Sequence, residues 1–150
     1  MVKQKDLEIL AHLRKDARKK VTEISRKLKM PVTTVYDRLR AHLKRGIVKK
    51  HVALVDFSKL GYTTTALIAL KVSAENKDSL KEYLSQHYNI NSLYRVDFGY
   101  DFLCEIVVKN ASKLREFVDF ISLKFNIKDP KIFNILDEIK KESFLSETQD

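Results

Sequence analysis

Two periodicities divide the chain. Over its first 46 residues apolar side chains recur at helical spacing. Leu7, Leu10 and Leu13, with Ile9 beside them, predict a first helix; Val21, Ile24 and Leu28 predict a second; Val35, Leu39 and Leu43 predict a third. Only Lys29-Met30-Pro31 separates the second helix from the third, which is the tight joint of a helix-turn-helix. Pro31 fits the first turn of the third helix, and Gly46 after Lys44-Arg45 reads as a left-handed stop. Val48, Val52 and Leu54 predict a short strand or an extended linker, and residues 56–60 complete the crossing.

Beyond residue 60 the period shortens to two. Tyr62 to Ser73 predicts a strand. Asn76 is expected to cap a helix with Leu80, Leu84 and Tyr88 on one face. Ser92 to Phe98 and Phe102 to Lys109 predict a hairpin turning at Gly99. Leu114, Phe117, Val118 and Ile121 predict a second helix starting near Asn110, and Pro130 to Ile139 a last strand. The order βαββαβ is the ferredoxin-like pattern, in which strands one and three are central. The expected fold class is therefore α+β: a three-helix, winged-helix-like helix-turn-helix domain over residues 1–52, a linker over 53–60, and a ferredoxin-like domain over 61–150.

Strand one carries Ala66, Ile68, Leu70 and Val72 on one face and Leu67 and Ala69 on the other. Strand three carries Phe102, Cys104, Ile106 and Val108 on one face and Leu103 and Val107 on the other. Two helices cover one face of such a sheet. The second apolar face needs a cover, either a second copy of the chain or the terminal segment folded back, and the homodimer is the economical solution.

Charge sharpens this picture. The formal net charge is +9 over 150 residues. Residues 1–50 hold 16 Lys and Arg against 5 Asp and Glu, and the remainder holds 13 against 15. The basic character is thus confined to the helical third, as expected for a module that binds a polyanion. A recognition helix has to present short polar groups to base edges and flank them with cations for phosphates. Thr33, Thr34, Tyr36, Asp37, Arg40 and Lys44 form the outer arc of the third helix. Arg26, Lys27, Arg38 and Lys49 are placed for phosphates. The expected partner is double-stranded DNA.

The four histidines and the single cysteine, Cys104, share no metal-ligand spacing, no nucleophile motif is present, and no phosphate loop occurs. Neither a cofactor nor a catalytic residue is expected. A lone cysteine forms no internal disulfide. The polar N-terminus is no signal peptide, and no apolar run reaches about 18 residues, so no membrane association and a cytoplasmic location are expected. Asn110-Ala111-Ser112 is read as a helix start rather than a glycosylation site.

Asp6-Leu7-Glu8-Ile9-Leu10, Asp16-Ala17-Arg18, Thr34-Val35 with Arg38-Leu39, and Gly46-Ile47-Val48 resemble, in order and spacing, the leucine-responsive/asparagine-regulator (Lrp/AsnC, feast/famine) family. The resemblance runs through the βαββαβ half. It implies a transcription regulator that binds a near-palindromic operator as a dimer, tetramer or octamer. It also implies an amino-acid effector held between subunits at the loop joining strands two and three, here Gly99, Tyr100 and Asp101. The residues leave an ordinary hairpin turn as the other reading of that loop. Departures from the family pattern are a joint without glycine, His42 at a customary leucine position with Leu43 beside it, a loop one residue short, and a final strand without the usual threonines. The alternative function is an enzyme resembling siroheme decarboxylases, which share the two-domain layout. Such an enzyme needs His and Arg around an acidic tetrapyrrole, whereas the C-terminal half has only Arg95 and Arg115.

Overall fold

The computed structural model describes residues 2–148. Three helices come first, α1 (Gln4–Lys15), α2 (Val21–Leu28) and α3 (Val32–Lys44). A short 3-10 helix, Phe57–Leu60, precedes β1 (Thr64–Leu70), α4 (Ala74–Gln86), β2 (Ile90–Arg95), β3 (Phe102–Val108), α5 (Ala111–Lys124) and β4 (Lys131–Asn134). The sheet is antiparallel in the order β2-β3-β1-β4, so β1 and β3 are central, as the βαββαβ pattern requires.

The chain forms two compact units. One contains residues 55–138. The other joins residues 2–54 to residues 139–148. A single C-terminal domain reaching the end of the chain was expected, and instead the last ten described residues belong with the helical unit.

In the sheet unit, Ala66, Ile68 and Leu70 of β1 and Phe102, Cys104, Ile106 and Val108 of β3 face the helices. They bury against Leu80 and Leu84 of α4 and Leu114, Phe117, Val118 and Ile121 of α5. The opposite sheet face is also apolar. The register sets Leu67 beside Phe133, Ala69 beside Leu103, and Leu103 beside Tyr94. Phe133 and Tyr94 are more than half exposed.

Several boundaries differ from expectation. The N-cap of α4 is Ser73, not Asn76. Asn76 lies in the first turn, where its amide donates to the Phe125 carbonyl (3.2 Å) and ties the start of α4 to the end of α5. Tyr88 is exposed because α4 stops at Gln86 and His87 turns to extended backbone. Residues 48–54 form no strand, so Val48 to Leu54 take the linker reading, and residues 49–56 are irregular. The last strand is much shorter than 130–139; only Ile135 N–H, donating to the Thr65 carbonyl (2.9 Å), continues its pairing.

The helical unit has a small core: Ile9, Ile24 and Val35 are fully buried, with Leu13, Val21, Leu28, Met30 and Leu39 packed around them. Pro31 is the N-cap of α3 rather than a residue of its first turn. The stop of α3 is as expected: Gly46 has φ +72°, and Ile47 N–H reaches back to the His42 carbonyl at 2.9 Å.

Candidate nucleic-acid interface

The joint between α2 and α3 closes without glycine. Lys29 adopts φ +52°, a left-handed conformation that L-residues with side chains enter at a cost. The buried hydroxyl of Ser25 donates to the Met30 carbonyl, and Met30 N–H returns to the Ser25 carbonyl at 3.0 Å. These two bonds hold the short turn in which Lys29 is strained.

The rotation of α3 is set by charge as well as by apolar packing. Leu43, expected inside, is half exposed, and His42 takes the inner position at 3% exposure. His42 Nε2 lies 3.1 Å from Asp6 Oδ1, and Arg38 Nη1 donates to the same oxygen at 2.9 Å. Asp6 Oδ2 accepts the Lys3 N–H at 2.8 Å, which also caps α1. Burial of Asp6 raises its pKa, but the bonds from Lys3, Arg38 and His42 outweigh this and leave it below the ordinary carboxylate value. One carboxylate thus pins the start of α1 to the middle and end of α3. His42 Nδ1 is buried with no hydrogen-bond partner.

This arrangement settles where the candidate residues lie. Thr33, Tyr36, Asp37, Arg40 and Lys44 are all exposed along one side of α3. Thr34 is half-buried, turned toward the edge of that arc. Arg26 and Lys27 are exposed in the last turn of α2, and Lys49 is exposed beyond α3. Arg38 is half-buried and turns Nη1 to Asp6, so part of its guanidinium is already engaged. Asp6 and His42 were missed as determinants of the helix's placement. The available signal was a histidine at a leucine position, and its meaning depended on a partner 36 residues away.

The loop between β2 and β3 turns through Phe98 (φ +59°) and Gly99 (φ +92°). Tyr100 is half-buried. Asp101 is already engaged: Oδ2 accepts the Val72 N–H at 2.8 Å, and Oδ1 pairs with Lys77 at 3.1 Å. The bond from Val72, ahead of Lys77, holds its pKa below the ordinary value. The carboxylate expected to receive an effector's ammonium group thus also closes the hairpin, and Lys77 already stands against it as a cation. Cys104 is fully buried, and burial pushes its thiol up to about 12, which leaves it an inert core group.

Residues 4–41 match the AsnC-type helix-turn-helix domain family. The chain is 30% identical over 116 residues to the HTH-type transcriptional regulator FL11 of Pyrococcus horikoshii, covering 77% of each protein. It is 31% identical over 119 residues to LrpC of Bacillus subtilis, covering 79% of this chain and 81% of LrpC. The LrpC structure superimposes with a TM-score of 0.85 at 26% identity, over 93% of this chain and 98% of that one. A Neisseria meningitidis transcriptional regulator in complex with L-Met shares the fold at 19% identity, with a TM-score of 0.87 over 94% of each chain. These relatives are regulators, and nothing among them supports the decarboxylase alternative. The chain belongs to the Lrp/AsnC family of helix-turn-helix transcriptional regulators.

Proposed function

We propose that this regulator lays α3 in the major groove of duplex DNA. Thr33, Tyr36, Asp37 and Arg40 then face base edges, and Arg26, Lys27, Lys44 and Lys49 face phosphates. The observation that carries this reading is the exposed polar arc on a helix whose inner side is fastened to Asp6. A helix held in one rotation presents the same side chains to every operator, which specificity requires. The protein acts in the cytoplasm as a homodimer built on the helix-free sheet face. The two-fold axis presents two recognition helices, so the operator is a near-palindrome with half-sites about one helical turn, or a multiple, apart.

The deciding experiment is selection from randomised duplex with the full chain, repeated with Tyr36→Ala, Arg40→Ala and Lys27→Ala. Tyr36 and Arg40 variants are expected to change the selected sequence and to lose about 1–3 kcal/mol on the parental site. Lys27→Ala is expected to weaken all sequences alike. Unchanged selection by both α3 variants sinks the assignment.

The bound L-Met of the Neisseria regulator favours an amino-acid effector as a second element of the reading. Its place here is the Gly99-Tyr100-Asp101 loop between subunits, where an incoming ammonium group has to displace Lys77 from Asp101. Thermal melts with each of the twenty amino acids test this. A ligand at 100-fold its dissociation constant adds about 2.7 kcal/mol, and a gain that survives Asp101→Ala places the pocket elsewhere.

A further inference from the structure

The junction of α1 and α2 is the most crowded cationic segment of the helical unit. Arg14, Lys15, Arg18, Lys19 and Lys20 fall within seven residues. Folding draws some of them closer to other basic groups. Lys19 Nζ donates to His12 Nδ1 at 2.9 Å, and Lys27 of α2 acts electrostatically on both groups. Partial desolvation and then Lys27 push Lys19 below the ordinary lysine value; desolvation and then Lys19, Lys27 and Lys15 do the same to His12. The arginine and lysine charges of this segment, gathered this way, favour a multivalent anion.

A segment 130 residues away partly meets that need. Arg14 Nε donates to the Phe144 carbonyl at 3.0 Å, and its Nη1 and Nη2 both lie 3.4 Å from Glu142 Oε2. Lys15 Nζ lies 3.6 Å from Glu147 Oε1. These contacts bring residues 139–148 into the helical unit. Both ion pairs are solvent-exposed, and Phe144 itself is 83% exposed, so no buried apolar anchor from Phe144 reinforces them. Pairs of this kind contribute about 0–1 kcal/mol each and break readily.

We propose that Arg14, Lys15 and Lys19 form a second phosphate-binding patch for the duplex read by α3, and that Glu142 and Glu147 of the C-terminal tail occupy it in cis as a competing polyanion. This rests on the DNA-binding reading above. The tail lowers affinity for every sequence by a similar factor and leaves the choice of sequence to α3. Carboxylates and phosphodiesters compete for the same cations, and weak exposed pairs give a competitor that duplex displaces.

The test uses the full-length chain with Glu142→Gln and Glu147→Gln together. Duplex affinity is expected to rise about three- to tenfold. The log–log salt dependence is expected to steepen by about one to two, because cations freed from the tail now displace counterions. Lys15→Gln with Lys19→Gln is expected to weaken binding, and adding it to the tail variant to erase most of the gain. Glu75→Gln with Asp119→Asn, the same change in charge on exposed sites of α4 and α5, is the control. An equal gain in the control reduces the effect to net charge and overturns the proposal, as does unchanged or weaker binding by the tail variant. Elution from heparin reads the patch without any operator. If wild-type protein binds no duplex, the DNA reading fails. A tail variant eluting at the wild-type salt concentration then rejects the tail contact separately.

Discussion

Asp6 joins three donors from two helices inside a unit whose fully buried apolar core is three residues. Removing its charge leaves Arg38 and the buried His42 facing an uncharged group, a change that costs about 3–5 kcal/mol in a fully buried pair. The Arg38 side chain is 30% exposed and regains part of that from water. Asp6→Asn is therefore expected to lower the stability of the helical unit by about 2–3 kcal/mol, measured by urea unfolding. A loss under about 0.5 kcal/mol, the range of ordinary surface changes, would show that α3 does not depend on this carboxylate. His12 makes a second prediction. Desolvation, and then Lys19, Lys27 and Lys15, lower its pKa below the ordinary 6.5. The unfolded chain then binds more protons than the folded one in the window just below 6.5. Its contribution is complete above that value and is lost as pH falls through the lowered pKa. Urea midpoints from about pH 8 to about pH 5 are expected to fall less in His12→Gln than in wild type, and identical slopes would remove His12 as the cause.

Among elements, the α2–α3 joint is where local preference and tertiary demand conflict. The turn needs a left-handed residue and Lys29 supplies it at φ +52°. Lys29→Gly is expected to gain up to about 1 kcal/mol, because the relief of strain exceeds the extra chain entropy that glycine loses. A raised melting temperature with unchanged operator choice checks this; a lowered one would show that the Lys29 side chain contributes contacts that outweigh the strain. The β2–β3 hairpin shows the opposite case. Gly99 supplies the positive φ, and Asp101 fastens the turn to the end of β1 through its own N–H, which donates to the Leu70 carbonyl at 2.8 Å, and through its carboxylate on Val72.

At the scale of the whole molecule the unresolved demand is the second face of the sheet. Within the sheet unit that face carries Phe133 and Tyr94, both exposed, beside Leu67 and Leu103. Wild-type protein is therefore expected to sediment at the mass of a dimer or a larger assembly at micromolar concentration. Phe133→Glu with Tyr94→Glu introduces charges at positions already exposed in the single chain, and is expected to shift the population toward monomer without loss of helicity. A variant that remains fully associated places the interface elsewhere.

Local pattern was enough for much of this protein. Helical and alternating periodicities are properties of neighbouring residues, so the order of elements, the central positions of β1 and β3, and the outer arc of α3 were legible in the sequence. The confinement of positive charge to the first 50 residues was legible for the same reason. Details that depend on partners distant in sequence were not. A helix turns about 100° per residue, so positions 42 and 43 both border the buried side of α3, and hydrophobicity alone chooses Leu43. Asp6, reached only when α1 and α3 pack, selects His42 and takes Arg38 with it. The same holds for Asp101, whose partners Val72 and Lys77 meet it only once the sheet and α4 are assembled. It holds again for the tail, since its carboxylates reach Arg14 and Lys15 across about 130 residues through weak, exposed pairs that leave no periodicity in the chain.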